Sequence, residues 1–255
     1  MARKRISLTL DEELVERIDR EKEKKKMNNR SRAIEKFLKE HFKSKMVEKA
    51  VILCGGSEET PSCVKKIKSI KIIDEKLKHL ENSGVKTVYI ATNQDAEKMR
   101  EKINEEKYGL TIYYSVEDNP LGTAGCLRKL GEHLKDTFIL TNGDVICNID
   151  VEDMLKIHRK NRPEATMALT TTDDTSKYGV VNMKGNKVVG FKEKPEEAAT
   201  KLINAGFYII EPSIIGRIKD KKTEKVAIET IFEELSEKDL LKGYLYEGEW
   251  KDFGN

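Results

Sequence analysis

The sequence predicts an α/β protein in two parts: a small strand–helix–helix module and a larger doubly wound, mostly parallel sheet. Three observations carry that prediction. Residues 3–10 alternate polar and apolar with period two, ahead of two helical patterns. From Lys49 onward, short apolar runs alternate with amphipathic stretches, the pattern of β-α units in series. Charge is also divided, with 15 Lys/Arg against 9 Asp/Glu in residues 1–45 and 33 against 36 in the rest. A basic module joined to a slightly acidic body implies a different partner for each part.

In RKRISLTL, Arg3, Arg5, Ser7 and Thr9 share one face of a strand, and Ile6, Leu8 and Leu10 the other. Asp11 is a good N-cap, followed by Glu12 and Glu13 at the positive end of the helix dipole. Leu14, Val15 and Ile18 give that helix a narrow apolar stripe. Asn29 or Ser31 caps a second helix, in which Ala33, Ile34, Phe37, Leu38 and Phe42 recur at helical spacing. One strand and two short helices cannot enclose a core, so the strand needs a partner edge, most simply a second copy of itself. A charged extension with an ordinary helical hairpin would explain the charge, but not the order of alternation, cap and NRS turn.

Over residues 3–42, RISLTLDEEL and NNRSRAIEKFL resemble the ribbon-helix-helix DNA-binding family. The resemblance implies a homodimer whose paired strands enter the major groove of double-stranded DNA. By position, Arg5, Ser7 and Thr9 would face base edges, with Arg3 near the backbone. The helix start at Asn29, Arg30 and Ser31 would offer N–H groups to a phosphate. The domain boundaries are 1–45 and 46–255. The connecting KSKMVEK is too short for a long flexible tether, so mechanical coupling of the domains is expected.

In the larger part, KAVILC is a continuous apolar run of the kind buried in a parallel sheet. Helices are expected over 69–84, 94–108, 122–134 and 151–161, and strands over 86–93, 110–117, 137–145 and 165–172. Ligands of such sheets bind beyond the carboxyl ends of the strands. No apolar run has the length of a bilayer span, and the basic N-terminus lacks the apolar core of a signal peptide. The expectation is a cytoplasmic protein without a membrane partner. Cys54, Cys63, Cys126 and Cys147 form no C-x-x-C pair and read as buried free thiols.

Asp144 closes a strand in NGD, where a carboxylate can hold a hard metal ion beside phosphates. PLGTAG begins a helix with small residues that let backbone approach a flat ligand. As an ordered set, AVILCGG, EDNPLGTAGCL, TNGDVICNIDVEDMLKIHRK, YGVV, VVGFKEKP, INAGFYIIEP and EGEWKDFGN resemble the sugar-1-phosphate nucleotidyltransferases, over nearly all of 49–255. The implied fold is Rossmann-like, of the GT-A type. The resemblance implies that Asp144 and Asp252 hold Mg²⁺, and that Gly55, Gly56, Gly122 and Thr123 cradle a nucleotide. It implies that Gly179, Glu193, Lys194 and Asn204 bind the sugar and its phosphate.

One loop departs from the family pattern. There the glycine pair continues as G-x-G-T-R-L and then P-K-P, whose arginine and lysine neutralise the triphosphate. Here the run is Ser57, Glu58, Glu59, Thr60, Pro61, with Thr60 at the arginine position between acids and proline. No proline-lysine match places Lys65 or Lys66 in the gap. Loss of one such group costs about 2.7–4 kcal/mol of barrier. The expectation is therefore a site that holds a nucleotide sugar or related nucleotide without turnover, serving as the effector site of a transcriptional regulator. The alternatives are an active transferase with a DNA-binding appendage, and a scaffold in which neither site works. Pairing of dimers into a higher oligomer through the large domain stays open.

Overall fold

The computed structural model describes all residues except 1–5, 25–26, 45, 56–61, 65, 68–69, 94–95, 118–120, 222, 224 and 255. The chain divides into two compact units, Met1–Met46 and Val47–Asn255.

In the smaller unit, α1 (Glu12–Lys24) and α2 (Arg30–Ser44) follow an extended segment. Asp11 caps α1, its Oδ1 accepting the Leu14 N–H at 2.8 Å. Asn29, rather than Ser31, caps α2 by accepting the Arg32 N–H at 2.9 Å, a bond of a kind worth about 1 kcal/mol. Ile18 and Ala33 are buried between the helices, and the Arg30 guanidinium forks onto Asp19, with Nε and Nη2 at 2.8 and 2.5 Å. Residues 6–10 form no strand within the single chain, and Ile6 and Leu8 are 64% and 54% exposed. A β-strand requires a neighbour to complete its hydrogen bonds, and this apolar face has none to cover it among the described residues.

The larger unit runs β1 (Lys49–Leu53), β2 (Lys66–Ile67), β3 (Ile70–Lys71), α3 (Ile72–Asn82), β4 (Thr87–Thr92), α4 (Ala96–Lys102), β5 (Thr111–Val116), α5 (Gly125–Leu130) and β6 (Phe138–Asn142). It continues with β7 (Val145–Cys147), α6 (Val151–Asn161), β8 (Ala165–Thr171), the hairpin β9 (Gly179–Lys184) and β10 (Lys187–Glu193), and β11 (Leu202–Ile210). Helices α7 (Ser213–Asp220) and α8 (Ile228–Glu237) lead to β12 (Leu241–Leu245) and β13 (Trp250–Asp252).

Nine strands form one sheet in the order β5-β4-β1-β6-β11-β8-β12-β10-β9. The first four are mutually parallel. Strand β11 then enters antiparallel to both β6 and β8, so the parallel doubly wound character belongs to the N-terminal half. The second half mixes directions: β12 is parallel to β8 but antiparallel to β10, and β9 and β10 form an antiparallel hairpin. Alternate residues fill the two faces: Ala50, Ile52 and Ile139 one core, Val51, Phe138 and Leu140 the other. All four cysteines are free and buried. Among the described residues no helix is long and apolar enough to cross a membrane.

Several expected elements are shorter than their patterns, and the helix expected over 69–84 begins at Ile72, with Ile70 and Lys71 paired in β3 instead. The helix over 94–108 stops at Lys102 and resumes as one 3₁₀ turn, Glu105–Lys107. The break at Asn104, whose backbone is non-helical, precedes Tyr108, which is buried and donates to Asp74 Oδ1 at 3.0 Å. The helix over 122–134 begins only at Gly125, because Gly122 has φ +82°, incompatible with a right-handed helix. The strand over 137–145 breaks at Gly143–Asp144, a turn that separates β6 from β7 and turns Asp144 toward the ligand side.

Candidate functional site

Strands β1, β4, β5 and β6 end along one rim, and that rim lines a cavity of about 420 Å³. Leu53, Ala91 and Cys126 form its apolar lining, with Asn93, Glu117, Asn142 and Asp144 as polar groups. Of the residues expected to cradle a nucleotide, Gly55, Gly122 and Thr123 all line it. Gly56 and the acidic run Glu58, Glu59 and Thr60 lie outside the described residues. The loop at Gly122 is tied to the start of α8 by backbone bonds from Val226 N to Leu121 O and from Ala124 N to Val226 O. Thr123 completes the tie. Its hydroxyl accepts the Ile228 N–H at 2.8 Å and donates to Glu229 Oε2 at 3.0 Å. Thr123, expected to cradle a nucleotide, therefore spends its hydroxyl on capping α8. Glu117 Oε2 accepts the Leu121 N–H at 2.9 Å, which holds the same loop from its other side.

A second, more polar cavity of about 220 Å³ opens beside the first, and both are lined by Asn142 and Asp144. Gly179, Glu193, Lys194 and Asn204, the residues expected at a sugar phosphate, all line this second cavity. Gly179 faces Glu193 across the β9–β10 ladder. Lys194 follows at φ +43°, a left-handed conformation unusual for lysine, while its N–H bonds to Tyr178 O. Asn204 is oriented by two bonds, donating to the Tyr208 hydroxyl at 2.7 Å and accepting the Gly206 N–H at 3.0 Å.

Asp252 reaches Asp144 because β13 pairs with β7, placing Asp252 opposite Val145. The Phe253 N–H then bonds to Asp144 O at 2.9 Å. At Gly254 a Cβ would lie 2.1 Å from Asp144 Oδ2, so any larger residue there displaces the Asp144 carboxylate. Burial, and next the like charge of Asp252, hold the Asp144 carboxyl above its ordinary range. Two converging carboxylates beside an open cavity fit Mg²⁺, which takes one or two carboxylates and completes its shell with phosphate oxygens and water. Around them the second cavity carries Asp144, Glu193, Glu229 and Asp252 against Lys177 and Lys194. A diphosphate entering this acidic lining therefore needs positive charge brought with it.

Glu193 is pushed up to about 7, first by burial and then by Glu229, with Lys194 opposing. An unfolded glutamate ionises near about 4.3. Between that value and about 7 the folded protein retains a proton that the unfolded chain releases, so stability falls as pH rises through this window. Glu193→Gln removes that loss. The melting temperature of the wild type minus that of the variant, followed from acid to neutral pH, is expected to decrease steadily; a constant difference would refute the shift.

Glu229, Glu117, Tyr178 and Trp250 were not singled out as site residues from the sequence. Tyr178 and Trp250 stand inside the motifs YGVV and EGEWKDFGN, and their edge-to-face packing, with centroids 5.4 Å apart, forms part of the wall. Glu229 has no local signal: the packing of α8, whose Ile228, Ile231 and Phe232 are buried, and the Thr123 bond bring it to the cavity. Of the residues expected at DNA, Ser7 and Thr9 are exposed, and Arg3 and Arg5 lie outside the described residues. At the start of α2, the Arg30 side chain is engaged by Asp19 and the Arg32 N–H by Asn29.

Comparison with known proteins agrees with this division. Residues 49–255 match the family described as Nucleotidyl transferase, and residues 4–43 the family described as Ribbon-helix-helix protein, copG family. A mannose-1-phosphate guanyltransferase of Yarrowia lipolytica is 40% identical over 190 residues, 72% of this chain and 52% of that protein. The mannose-1-phosphate guanylyltransferase catalytic subunit beta of Danio rerio is 33% identical over 222 residues, 81% of this chain and 61% of that protein. The chain thus spans between half and two thirds of the length of these relatives. A solved UDP-glucose pyrophosphorylase complexed with UDP-glucose is similar in fold, with a TM-score of 0.70 at 17% identity, covering 82% of this chain and 94% of that one.

Proposed function

We propose, from the premise that the chain belongs to the nucleotidyl transferase family and carries a ribbon-helix-helix domain ahead of it, that it is a DNA-binding regulator whose larger unit receives a nucleotide sugar. The guanyltransferase names of its relatives favour a guanosine diphosphate hexose as that effector. One observation carries the reading. The nucleotide-side and sugar-side cavities meet at Asn142 and Asp144, while the loop that should neutralise a triphosphate reads Ser57–Glu58–Glu59–Thr60. A nucleoside diphosphate sugar spans both cavities and makes no demand on the missing arginine. A divalent cation held by Asp144 and Asp252 would supply charge neutralisation for its phosphates. Glu193 and Asn204 offer acceptors and a donor to sugar hydroxyls, and the small residues at Gly55 and Gly122 let backbone approach the base.

In this reading two chains pair through the N-terminal segments, and the effector alters the affinity of the paired ribbons for DNA. Linkage then requires DNA to alter effector affinity by the same factor. The second reading, an active guanylyltransferase, is favoured by the convergence of Asp144 with Asp252 and by the relatives' names. In that reaction an oxygen of the sugar phosphate attacks the α-phosphorus of the nucleoside triphosphate, and pyrophosphate leaves.

One experiment separates the two. The protein is incubated with Mg²⁺, the four ribonucleoside triphosphates plus dTTP, and a panel of sugar 1-phosphates including mannose 1-phosphate. Mass spectrometry follows nucleotide-sugar formation, and calorimetry measures binding of GDP-mannose in parallel. Binding without product is expected. Robust product would make the protein an enzyme, and absence of both binding and product would overturn both readings.

A further inference from the structure

Helix α3 buries Ile72, Ile73, Leu77 and Leu80, and in the middle of that same face it buries a lysine. Lys76 is only 6% exposed, and its Nζ donates to Thr141 Oγ1 at 2.9 Å. Thr141 in turn donates to Gly206 O at 3.1 Å and directly precedes Asn142, which lines both cavities. No carboxylate among the described residues lies within ion-pair distance of this ammonium. A charge placed on an apolar face without a paired neighbour is expensive, and such a breach of local pattern marks a functional position.

Burial holds the Lys76 amine below its ordinary range, while Cys147, Asp144, Cys54 and Cys63 oppose that shift; His79 also feels its charge. Burial pushes the Cys54 and Cys147 thiols up, away from their charged forms, which leaves Asp144, itself raised but the most acidic of these groups, as the anion facing the amine. The cluster is continuous with the site. A Cβ built on Gly143, beside Asp144, would lie 3.0 Å from Cys54 Sγ and 3.0 Å from Cys63 Cβ.

We infer that Lys76 is an internal counter-cation of the Asp144–Asp252 pair, placed beneath the floor strand β6, where it partly neutralises the pair and weakens divalent-metal binding until a ligand's phosphates arrive. The inference rests on the reading of that pair as a metal site. Lys76 touches neither ligand nor metal; it acts through Asp144 and is a positioning residue. The consequence is a site whose metal is recruited together with a diphosphate ligand, and which keeps a positive charge of its own where the acidic loop supplies none.

The test is Mn²⁺ affinity of the full chain, read from the electron paramagnetic resonance signal of the free ion. Lys76→Gln is expected to bind Mn²⁺ at least about fivefold more tightly than the wild type, because removing a nearby like charge favours the cation in a low-dielectric site. Lys76→Met, an unbranched chain suited to the same space, should do the same. Thr141→Val removes the amine's hydrogen-bond acceptor and keeps its charge, so its affinity should stay within about twofold. Loosening of the fold would weaken metal binding, so a gain in affinity is not produced by a merely structural role. Equal or weaker binding by both folded Lys76 variants overturns the inference. Asp252→Asn separates the premise: if it abolishes Mn²⁺ binding, the metal site stands whatever Lys76 does, and if it does not, both fall.

Discussion

DNA affinity is expected to fall by about 10³–10⁵-fold as salt rises from roughly 50 to 200 mM, the response of a protein that neutralises about six to ten phosphates. A paired ribbon presents every contact twice, so three to five groups per chain suffice. The candidates are Arg3, Lys4 and Arg5 in the basic N-terminal segment, while the N–H groups that begin α2 at Arg30 and Ser31 position a phosphate without adding to the count. Two groups there are already spent within the chain: the Arg32 N–H on Asn29 and the Arg30 guanidinium on Asp19. The salt slope should therefore drop in an Arg3→Ala/Arg5→Ala variant and stay nearly unchanged in Arg30→Ala. Fluorescence anisotropy at four or five salt concentrations measures it. A shallow slope for the wild type would remove DNA from the proposal, leaving the N-terminal unit as a dimerisation device.

The second large effect is expected at Gly122. Its φ is +82°, and an added Cβ would lie 2.5 Å from the Val226 carbonyl oxygen, a backbone atom that cannot swing aside. Conformational strain and overpacking together make Gly122→Ala destabilising by about 2–6 kcal/mol. The clash also pries apart the tie between the Gly122 loop and the start of α8, which Thr123 and Val226 hold, so nucleotide-sugar affinity should fall with stability. Gly55→Ala is the control: nothing among the described residues lies within 4 Å of its built Cβ, and its cost should stay within about 0.5 kcal/mol. Denaturant unfolding of both variants decides. Equal stabilities would mean that the loop does not have this conformation.

Much of this protein was legible in the sequence because the signals are local. The Asp11 and Asn29 caps and the continuous apolar run of β1 each need only a few neighbouring residues to be read; the alternation in residues 3–10 is as local, but residues 6–10 form no strand within the chain, because a strand there needs a partner edge. The acidic departure at Glu58, Glu59 and Thr60 is equally a matter of sequence. The site was legible in part. Gly55, Gly122, Gly179, Glu193, Lys194 and Asn204 stood in recognisable motifs and all line the two cavities.

By itself, then, the sequence determined the kind and order of the main elements from β1 to β8, the division into a basic module and a larger α/β unit, and the residue types at the rim. Tertiary structure decided which distant groups meet. The β7–β13 ladder brings Asp252 to Asp144, the Thr123 hydroxyl delivers Glu229, and α3 lays Lys76 under β6. It also decided that β11 enters antiparallel between β6 and β8. Each of these is a pairing between segments far apart in the chain. Helical and strand periodicity state which face of an element is buried; they carry no record of what will be buried against it.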